Sequence, residues 1–533
     1  MTTRTRTDVL LLVAFCGFLF FYGLGAFGLL GADEPRYAQV AREMLNRHDW
    51  ITPTLQGRPW LEKPALYYWQ AMVAYSVFGV SDRAARMPAA LDAALMIVAV
   101  YFFLRRFRPG SETDGALIVA GSAGTIGFAR GASTDMPLAA MLAIALLGWY
   151  AWYETRNRLG LAAFYFFLAL ATLAKGPVAI FFAGAILLIF LALKRDWGAI
   201  LQSSWIPGVM LFLAIALPWY VAVQLRNPDF FRLFILEHNL GRFGQDLYHH
   251  RQPFWFYLPV LLLALMPWTL WLILAVAQKL RLLWSERKEA FATSEDSWQL
   301  FLLIWLLVPV LFFSASQSKL PGYILPSIPA GALLVSEYLR SGQRRTAKAL
   351  PWLMGFHAVL CGLLVFAALA APGIQLNHRL VMGTGMYVAV GAAVLVTIGT
   401  AVALFRAGPR MLRPATMFPI VIGVAALLKL AAPAIDATQS SRPVAQAIQN
   451  FSQEAVPVAL FHTSRQLEYG LGFYLNRPAQ RYENGLVPHD RHVLVAAQNS
   501  TDQFSNLLHE RKVSFLTSIP EQKLDLYWVG PGN

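Results

Sequence analysis

The acidic residues with the most chemical potential lie in gaps between hydrophobic segments. Asp33 and Glu34 follow the first such segment, in Gly-Ala-Asp-Glu-Pro-Arg-Tyr, and Asp135 stands in Ser-Thr-Asp-Met-Pro, where another segment begins. A carboxylate at a water–lipid boundary can serve as a general base or stabilise a developing positive charge. A helix cap is the alternative, since Asp is a preferred capping residue. Two carboxylates entering one boundary from different segments favour a shared site.

Basic residues occupy the same kind of gap. Glu62 and Lys63 are adjacent in Trp-Leu-Glu-Lys-Pro, and Lys63 can bind a phosphate as a compact point charge. The alternative is a solvated ion pair, worth about 0–1 kcal/mol. Lys175, in Ala-Lys-Gly-Pro, and Lys319, in Ser-Lys-Leu-Pro, lie in very short gaps with no neighbouring acid in the sequence. Snorkelling of a long side chain to the interface explains either one.

A second polar group lies in the long gap 225–253. Glu237, His238 and Arg242 follow an aromatic stretch there. A metal role for His238 needs a second ligand supplied by folding, such as Glu62. Spacing alone does not establish that pairing, because two further histidines stand in the same gap.

The elements that position these residues are membrane spans. Of the 533 residues 57% are hydrophobic and 14% charged, with a mean hydropathy of +0.49, which predicts an integral membrane protein. The net charge of +14 comes from short cationic clusters between apolar segments, which argues against a nucleic-acid partner. Cys16 and Cys361 fall inside apolar segments and support neither a disulfide nor a thiolate site.

About thirteen apolar segments are long enough to be candidate spans. They predict a polytopic α-helical protein, and the first is read as an uncleaved span. The segments are 9–30, 86–104, 114–129, 136–153, 159–174, 177–193, 205–224, 254–278, 299–316, 320–339, 350–371, 381–405 and 414–432.

Orientation follows from the cations, because short cytoplasmic loops retain Lys and Arg. Six alternate gaps carry two to four cations each, and all share one parity. We therefore expect a cytoplasmic N-terminus, with the gaps 31–85 and 225–253 and the C-terminus outside. The six basic gaps are 105–108, 156–158, 194–195, 279–288, 340–348 and 406–413.

The outer regions have structure of their own. Asp33 can cap a helix running to about Arg47, and Pro64 to Phe78 is apolar and aromatic enough to lie in the interface. Residues 1–432 are predicted to form the transmembrane domain and 433–533 a small soluble α/β domain outside the membrane. Its predicted strands are Val456–Phe461, His492–Ala497, Val513–Leu516 and Leu524–Val529, and its helices Arg465–Leu475 and Thr501–Arg511.

Several motifs are missing from the sequence. It has no phosphate-binding Gly-x-x-x-x-Gly-Lys-Ser/Thr loop, no Asp-x-Asp pair, no His-Glu-x-x-His and no Gly-x-Ser-x-Gly. A nucleotide cofactor, or a nucleotide-activated substrate on the cytoplasmic side, is therefore not expected.

The motifs resemble those of a known family, the polytopic GT-C glycosyltransferases related to protein O-mannosyltransferases. Within it they are most similar to the bacterial aminoarabinose (L-Ara4N) lipid A transferases. The resemblance covers about the first 340 residues in order. It rests on the motifs at 31–37, 60–64, 133–135, 174–177, 237–238 and 318–323.

The resemblance implies a sugar donor carried on undecaprenyl phosphate and transfer at the periplasmic face of the bacterial inner membrane. Asp33 matches a catalytic acid of the first loop and Asp135 a second acidic site residue. Lys63 matches a lysine that binds the lipid phosphate. Glu62 and His238 match a pair that holds a divalent metal, with zinc as the implied ion.

Further site residues come from the same motifs. Arg242 matches a phosphate-binding arginine, and the C-terminal region matches the family's variable part. The resemblance adds Glu34 to the catalytic set and Arg36, Lys175 and Lys319 to the phosphate-binding set.

The acceptor stays open at this point between lipid A, another envelope glycan lipid and protein. A hydroxyl acceptor needs a general base, for which Asp33 is the candidate, whereas a lipid A phosphate is already ionised near neutral pH. In that case Asp33 and Asp135 would orient the donor and stabilise positive charge on the sugar. A transporter is the other class considered, but its usual mid-membrane ionisable groups and repeated halves are not evident in the sequence.

Overall fold

The computed structural model describes residues 3–241, 252–285, 293–342, 350–370, 384–451, 456–485, 487–505, 507–508 and 511–531. Each of the thirteen predicted segments contains helix in its described part, but residues 22–30 of the first segment and 265–268 of the eighth are not helical. The helices of the membrane part are α1 (Thr3–Cys16), α2 (Asp33–Asn46), α3 (Leu66–Phe78), α4 (Asp82–Phe107), α5 (Glu112–Ala120), α6 (Ala123–Ala129), α7 (Asp135–Thr155), α8 (Arg158–Lys175), α9 (Val178–Lys194), α10 (Trp197–Ser203), α11 (Ile206–Arg226), α12 (Tyr257–Ala264), α13 (Thr269–Ser285), α14 (Ser294–Ala315), α15 (Ile328–Gly342), α16 (Leu350–Ala370), α17 (Thr384–Ala407), α18 (Leu412–Ala426) and α19 (Ala432–Gln439).

Not every predicted segment is one complete span. Within the described ranges eight helices are long and apolar enough to cross a membrane, or nine if α12 and α13, bent by 118°, form one span. The first segment ends in a π-helical turn, Gly17–Phe21, and the segment at 320–339 opens with a 3₁₀ helix, Pro321–Ser327. Proline cannot donate a backbone hydrogen bond, so Pro321 and Pro326 favour the tighter turn. The protein is a multi-pass membrane protein, and the number thirteen is not confirmed.

The predicted basic gaps meet at one end of the bundle. Arg108 pairs with Glu154 at 2.5 Å, and Lys279 pairs with Asp296 at 3.5 Å. Arg108 also donates to Ser294, so three gaps meet there. Helix α7 runs from Asp135 to this basic end, which places the basic gaps and Asp135 at opposite ends of one helix. Such a separation agrees with the predicted alternation of gaps.

Arg86 of α4 joins the first outer gap to the membrane part. Its side chain is 1% exposed, and its Nη2 and Nε donate to the two carboxylate oxygens of Glu34 at 2.6 and 3.2 Å. The same carboxylate accepts the backbone N–H groups of Leu30 and Ala132, each at 2.7 Å. The guanidinium also donates, at 2.8 Å each, to the backbone carbonyls of Leu24, Phe27 and Gly28.

The C-terminal region is the predicted small α/β domain. Its helices are α20 (Arg442–Phe451), α21 (Arg465–Leu475) and α22 (Thr501–Ser505), and its strands are β3 (Val458–Phe461), β4 (Ala479–Arg481), β5 (His492–Ala497), β6 (Val513–Ile519) and β7 (Leu524–Val529). The sheet order is β4-β3-β5-β7-β6, with β3 parallel to both neighbours and β7 antiparallel to both of its own.

Two features of the fold differ from the sequence-based expectation. Strand β4 was not predicted because it has three residues, two of them polar. The helix begun by α18 continues through α19 to Gln439, beyond the predicted domain boundary at 432. Composition turns polar there while the helix continues into the outer region, so the boundary falls after Gln439.

The C-terminal domain docks, through polar contacts, on the end of the membrane part that lies opposite the basic gaps. The Tyr474 hydroxyl accepts the backbone N–H of Leu29 at 2.7 Å and donates to Asp82 at 2.6 Å. Arg442 pairs with Asp82 at 3.1 Å and with Asp436 at 2.7 Å. A Cβ at Gly28 would lie 2.1 Å from Ser440, so the close approach requires glycine.

We predict that Arg86→Met lowers the free energy of unfolding by about 3–5 kcal/mol, because it leaves the Glu34 carboxylate without its counter-charge. Thermal unfolding of the detergent-purified protein measures the loss. Arg58→Gln, an exposed change in β2 (Arg58–Pro59), is the control. The double variant Arg86→Met, Glu34→Gln should recover part of the loss. An Arg86→Met protein as stable as the control would contradict this role.

We also predict that Arg442→Met weakens the docking of the C-terminal domain by about 1.5–3 kcal/mol, because Asp82 and Asp436 lose charge-assisted hydrogen bonds. Limited proteolysis between the membrane part and α20 should become faster. The exposed Arg465→Gln on α21 should cleave at the wild-type rate. Equal rates for the two variants would show that the ion pairs do not hold the domain.

Candidate active site

Asp33 begins α2 at the outer end of the bundle. The capping position belongs to Ala32, and Asp33 is already helical, so the expectation that it caps the helix is wrong. Its side chain is 55% exposed and forms an ion pair with Arg36, one turn along the helix. The carboxylate is therefore held by a cation and remains open to solvent.

Arg36 is the partly buried centre of an aromatic group. Its side chain is 15% exposed, and its guanidinium carbon lies 5.0 to 5.6 Å from three ring centroids. Such contacts stabilise a cation while keeping it accessible from the edge. The rings are those of Tyr37, Trp60 and Tyr469, the last contributed by the C-terminal domain.

Electrostatics places Glu62 beside this arginine. Burial alone lowers the pKa of Arg36. Tyr37, Asp33 and Glu62 together raise it by more than burial lowers it, so the net pKa is raised. Burial raises the pKa of Tyr68, Arg36 opposes the increase, and Glu62 and Asp33 add to it. The predicted residues Asp33, Arg36 and Glu62 therefore share one site.

Asp135 and Lys175 form the second pair, at the start of α7 and the end of α8. They are in contact, with the side chains 19% and 14% exposed. Lys175 has no acidic neighbour in the sequence, but folding brings Asp135 to it. The ion pair accounts for its position without snorkelling. Lys175 also lies 5.1 Å from the Tyr323 ring centroid. A Cβ at Gly322 would lie 3.2 Å from the Asp135 carboxyl carbon, so this motif closes over the pair.

Tyr37 connects the two pairs. It is buried, and burial raises its pKa, followed by the charges of Asp33 and, more weakly, Asp135. Both carboxylates therefore lie within electrostatic reach of one ring. Among the described residues, three buried donors of this site have no hydrogen-bond partner: Arg36 Nε, Trp60 Nε1 and the Tyr68 hydroxyl. Buried donors of this kind normally bind an acceptor, so they are suited to ligand oxygens.

Lys319 lies close to this group but is differently engaged. It is 6% exposed, and its Nζ donates to the Ser316 carbonyl at 2.5 Å. Burial lowers its pKa. The Lys319 ammonium is therefore held by a backbone carbonyl of the protein, and its snorkelling stays a prediction.

Glu34 does not occupy an open catalytic position. Both of its oxygens accept hydrogen bonds from Arg86 and from backbone N–H groups. Its side chain is 14% exposed. These contacts give the carboxylate a positioning function at the start of α2, next to Asp33, and its catalytic role stays a prediction.

The segment carrying Glu62 and Lys63 is held by a short hairpin. Strands β1 (Thr54–Leu55) and β2 (Arg58–Pro59) pair around Gln56 and Gly57, both at positive φ. Glu43 of α2 accepts hydrogen bonds from Thr54 Oγ1, Gln56 N and Gly57 N. Glu62 and Lys63 are partly buried and have partners in the structure.

The metal prediction is not tested. No group of three or more His, Cys, Asp or Glu side chains in the described part of the chain lies close enough to hold an ion. The His238 side chain and the whole of Arg242 lie outside the described residues. Glu237 is 46% exposed and pairs with Arg232 at 2.5 Å. The Glu62–His238 site and the Arg242 contact stay predictions.

Several site residues were not found from sequence. Glu43 and Arg86 lie in none of the sequence motifs. Arg86 had one available signal, since an arginine inside an apolar span requires a partner. Tyr323 lies in the motif at 318–323, Ser-Lys-Leu-Pro-Gly-Tyr, but its contact with Lys175 is visible only in the fold.

Comparison with known proteins now identifies the fold. Residues 7–234 match the family described as dolichyl-phosphate-mannose-protein mannosyltransferase. An undecaprenyl phosphate-α-4-amino-4-deoxy-L-arabinose arabinosyl transferase of Pseudomonas aeruginosa is 33% identical over 344 residues, 63% of this chain and 60% of the relative. One from Pseudomonas paraeruginosa is 32% identical over 385 residues, 70% of this chain and 66% of the relative. The chain thus spans about 60% of the length of the first of these relatives.

Solved structures extend the likeness to nearly the whole chain. ArnT from Cupriavidus metallidurans bound to undecaprenyl phosphate matches with a TM-score of 0.80 at 22% identity, covering 98% of this chain and 97% of the other. The oligosaccharyltransferase of Archaeoglobus fulgidus matches with a TM-score of 0.52 at 12% identity, covering 93% and 70%. The predicted GT-C fold is confirmed: the chain shares the fold of these structures, and its sequence is similar to the protein mannosyltransferase family and to the aminoarabinose arabinosyl transferases.

Proposed function

We propose that this protein is an integral membrane glycosyltransferase that uses an undecaprenyl-phosphate-linked sugar. The sugar is aminoarabinose and the acceptor a lipid A phosphate. The protein lies in the bacterial inner membrane, with its active site and C-terminal domain on the periplasmic face. The observation that carries the proposal is the meeting of two acid–base pairs, Asp33–Arg36 and Asp135–Lys175, at one end of the bundle.

Two comparisons support the donor. The relatives are named as undecaprenyl phosphate-aminoarabinose arabinosyl transferases, and the structure with a TM-score of 0.80 is bound to undecaprenyl phosphate. The shared fold extends across both acid–base pairs. A lipid phosphate on an amphipathic carrier fits a site at the membrane boundary.

The leaving group determines what the cations do. Cleavage of the anomeric C–O bond leaves a polyprenyl phosphate, on which negative charge grows in the transition state. Lys63 and Arg36 stabilise that charge, and pre-positioned cations lower the barrier more than they strengthen ground-state binding. The rings around Arg36 fix its guanidinium before the donor arrives.

The carboxylates act on the other side of the bond. A phosphate acceptor needs no general base, because it is already ionised. Asp33, more than half exposed, is placed to stabilise positive charge on the sugar while the acceptor approaches. Asp135, between Lys175 and Gly322, is fixed and orients the donor. The unpartnered donors of Trp60 and Tyr68 are available for sugar oxygens.

The first test compares lipid A from cells with and without the protein by mass spectrometry. We expect a mass gain of one aminoarabinose that requires Asp33 and Lys63. Asp33→Asn and Lys63→Ala should each lower transfer about 100-fold or more, as the loss of one pre-positioned electrostatic group does. Arg58→Gln, exposed in β2, should retain wild-type transfer.

The outcomes separate the parts of the proposal. Unchanged lipid A together with a sugar gain on another glycolipid or on protein would retain the transferase and reject the acceptor. Full transfer by both Asp33→Asn and Lys63→Ala would reject the site. Equal thermal unfolding of wild type and variants shows that any loss is not caused by misfolding.

The second test addresses the metal. We propose that Glu62 and His238 would hold a divalent metal ion such as zinc, because carboxylate and imidazole side chains are zinc ligands. Elemental analysis of protein purified without chelator should give about one zinc per chain, falling several-fold in Glu62→Gln. Glu237→Gln, next to His238 but paired with Arg232, is the control. Wild-type protein without bound metal would refute the site.

A further inference from the structure

A cavity with a mixed polar and apolar lining lies at the basic end of the bundle, away from the Asp33–Arg36 and Asp135–Lys175 pairs. It has a volume of about 440 Å³ and is enclosed by α5, α13, α15, α16 and α18. At roughly 30 Å³ per molecule, it has room for about 15 waters. Its charged residues are Asp114 at the start of α5, Arg340 near the end of α15 and Arg413 at the start of α18.

The charges at the opening have both signs. Arg413 pairs with Asp114, and their side chains are 40% and 42% exposed. Arg340 is 33% exposed and pairs with Glu295 and, at 2.8 Å, with Glu337. Two cations and one carboxylate that line the cavity are thus accessible to a ligand carrying both a phosphate and an ammonium group.

The interior offers hydrogen bonds that the protein does not use. Among the residues described, Trp268 Nε1 and the Ser336 hydroxyl are buried without a hydrogen-bond partner, and both side chains line the cavity. They are 2% and 3% exposed. Much of the remaining lining is apolar, with Ile118, Met354 and Met417. Unpartnered donors beside an apolar wall match the ester carbonyls and first methylenes of a lipid.

The surroundings continue this pattern outward. The segments 340–348 and 406–413 carry seven cations and no acid in the sequence. On α16, Trp352 and Phe356 are 75% and 61% exposed, as expected of side chains that face acyl chains. Basic pockets between helices at the cytoplasmic side of a membrane bind phospholipid headgroups.

We infer that this cavity binds a zwitterionic phospholipid of the phosphatidylethanolamine type. The phosphate contacts Arg413 and Arg340, and the ammonium group contacts Asp114. Trp268 and Ser336 donate to the ester carbonyls, while the acyl chains leave the cavity over α16. A complete lipid is larger than the cavity, so only the headgroup and the ester region are enclosed. This inference does not depend on the proposed transfer reaction.

The test is native mass spectrometry of the full-length protein in detergent, titrated with three probes. These are phosphatidylethanolamine, phosphatidylglycerol with the same chains, and glycerophosphoethanolamine, which has the headgroup without the chains. We expect one tight phosphatidylethanolamine per protein. Arg413→Gln should weaken it about tenfold, the value of one charge-assisted hydrogen bond. Asp114→Asn should weaken phosphatidylethanolamine but not phosphatidylglycerol.

Two further variants keep the result interpretable. Arg406→Gln removes an exposed cation from the same end of the bundle without lining the cavity, and it should bind like wild type. Ser336→Leu fills the cavity, retains every charge and should weaken both lipids. Thermal unfolding identifies any variant that does not fold. If Arg413→Gln does not fold, lipid binding by Ser336→Leu decides the test instead.

Three results would overturn the inference. Equal lipid binding by Arg413→Gln and Arg406→Gln, with both variants folded, would show only non-specific attraction. Equal affinity for glycerophosphoethanolamine would assign the cavity to a soluble ligand. Tighter binding of phosphatidylglycerol than of phosphatidylethanolamine by the wild type would reject the role of Asp114.

Discussion

The buried Arg86–Glu34 pair is the interaction on which the outer half of the molecule depends. A guanidinium at 1% exposure in a membrane-spanning helix is costly unless every donor is used, and this one contacts a carboxylate and three backbone carbonyls. The carboxylate in turn fixes Leu30, three residues before α2, and Ala132, three residues before α7. One pair thus sets the distance between the two parts of the chain that supply Asp33 and Asp135.

The same constraint explains why adjacent acids have different roles. Asp33 and Glu34 are neighbours on the first turn of α2 and point to different surroundings, one to solvent and Arg36, the other to Arg86. The helix period makes this separation unavoidable. Because Glu34 is fixed by Arg86, the neighbouring Asp33 carboxylate keeps its position while more than half of it stays exposed.

Sequence reasoning reached the fold class for identifiable reasons, and it named several residues that the structure brings together. Apolar length predicts helices, and cation parity predicts which ends meet, as the Arg108–Glu154 pair bears out within the structure. Motif likeness predicted Asp33, Asp135 and Lys175. What it could not supply was pairing across the sequence, such as Asp135 with Lys175 or Arg36 with Tyr469, because no local pattern encodes those contacts. The short strand β4 was missed because two of its three residues are polar. The extension of α18 to Gln439 was missed because the sequence becomes polar before the helix ends.

The contact between Tyr469 and Arg36 links residues 433 positions apart. Domains form in the order in which they are synthesised, so the membrane helices precede the last hundred residues. The aromatic surroundings of Arg36 are therefore incomplete until the C-terminal domain has been made, and the backbone N–H of Leu29 also waits for Tyr474. A nascent or truncated chain ending at α19 would insert its membrane spans, but Arg36 would lack Tyr469 and Leu29 would lack Tyr474. The candidate site would then be completed only when the C-terminal domain has been made.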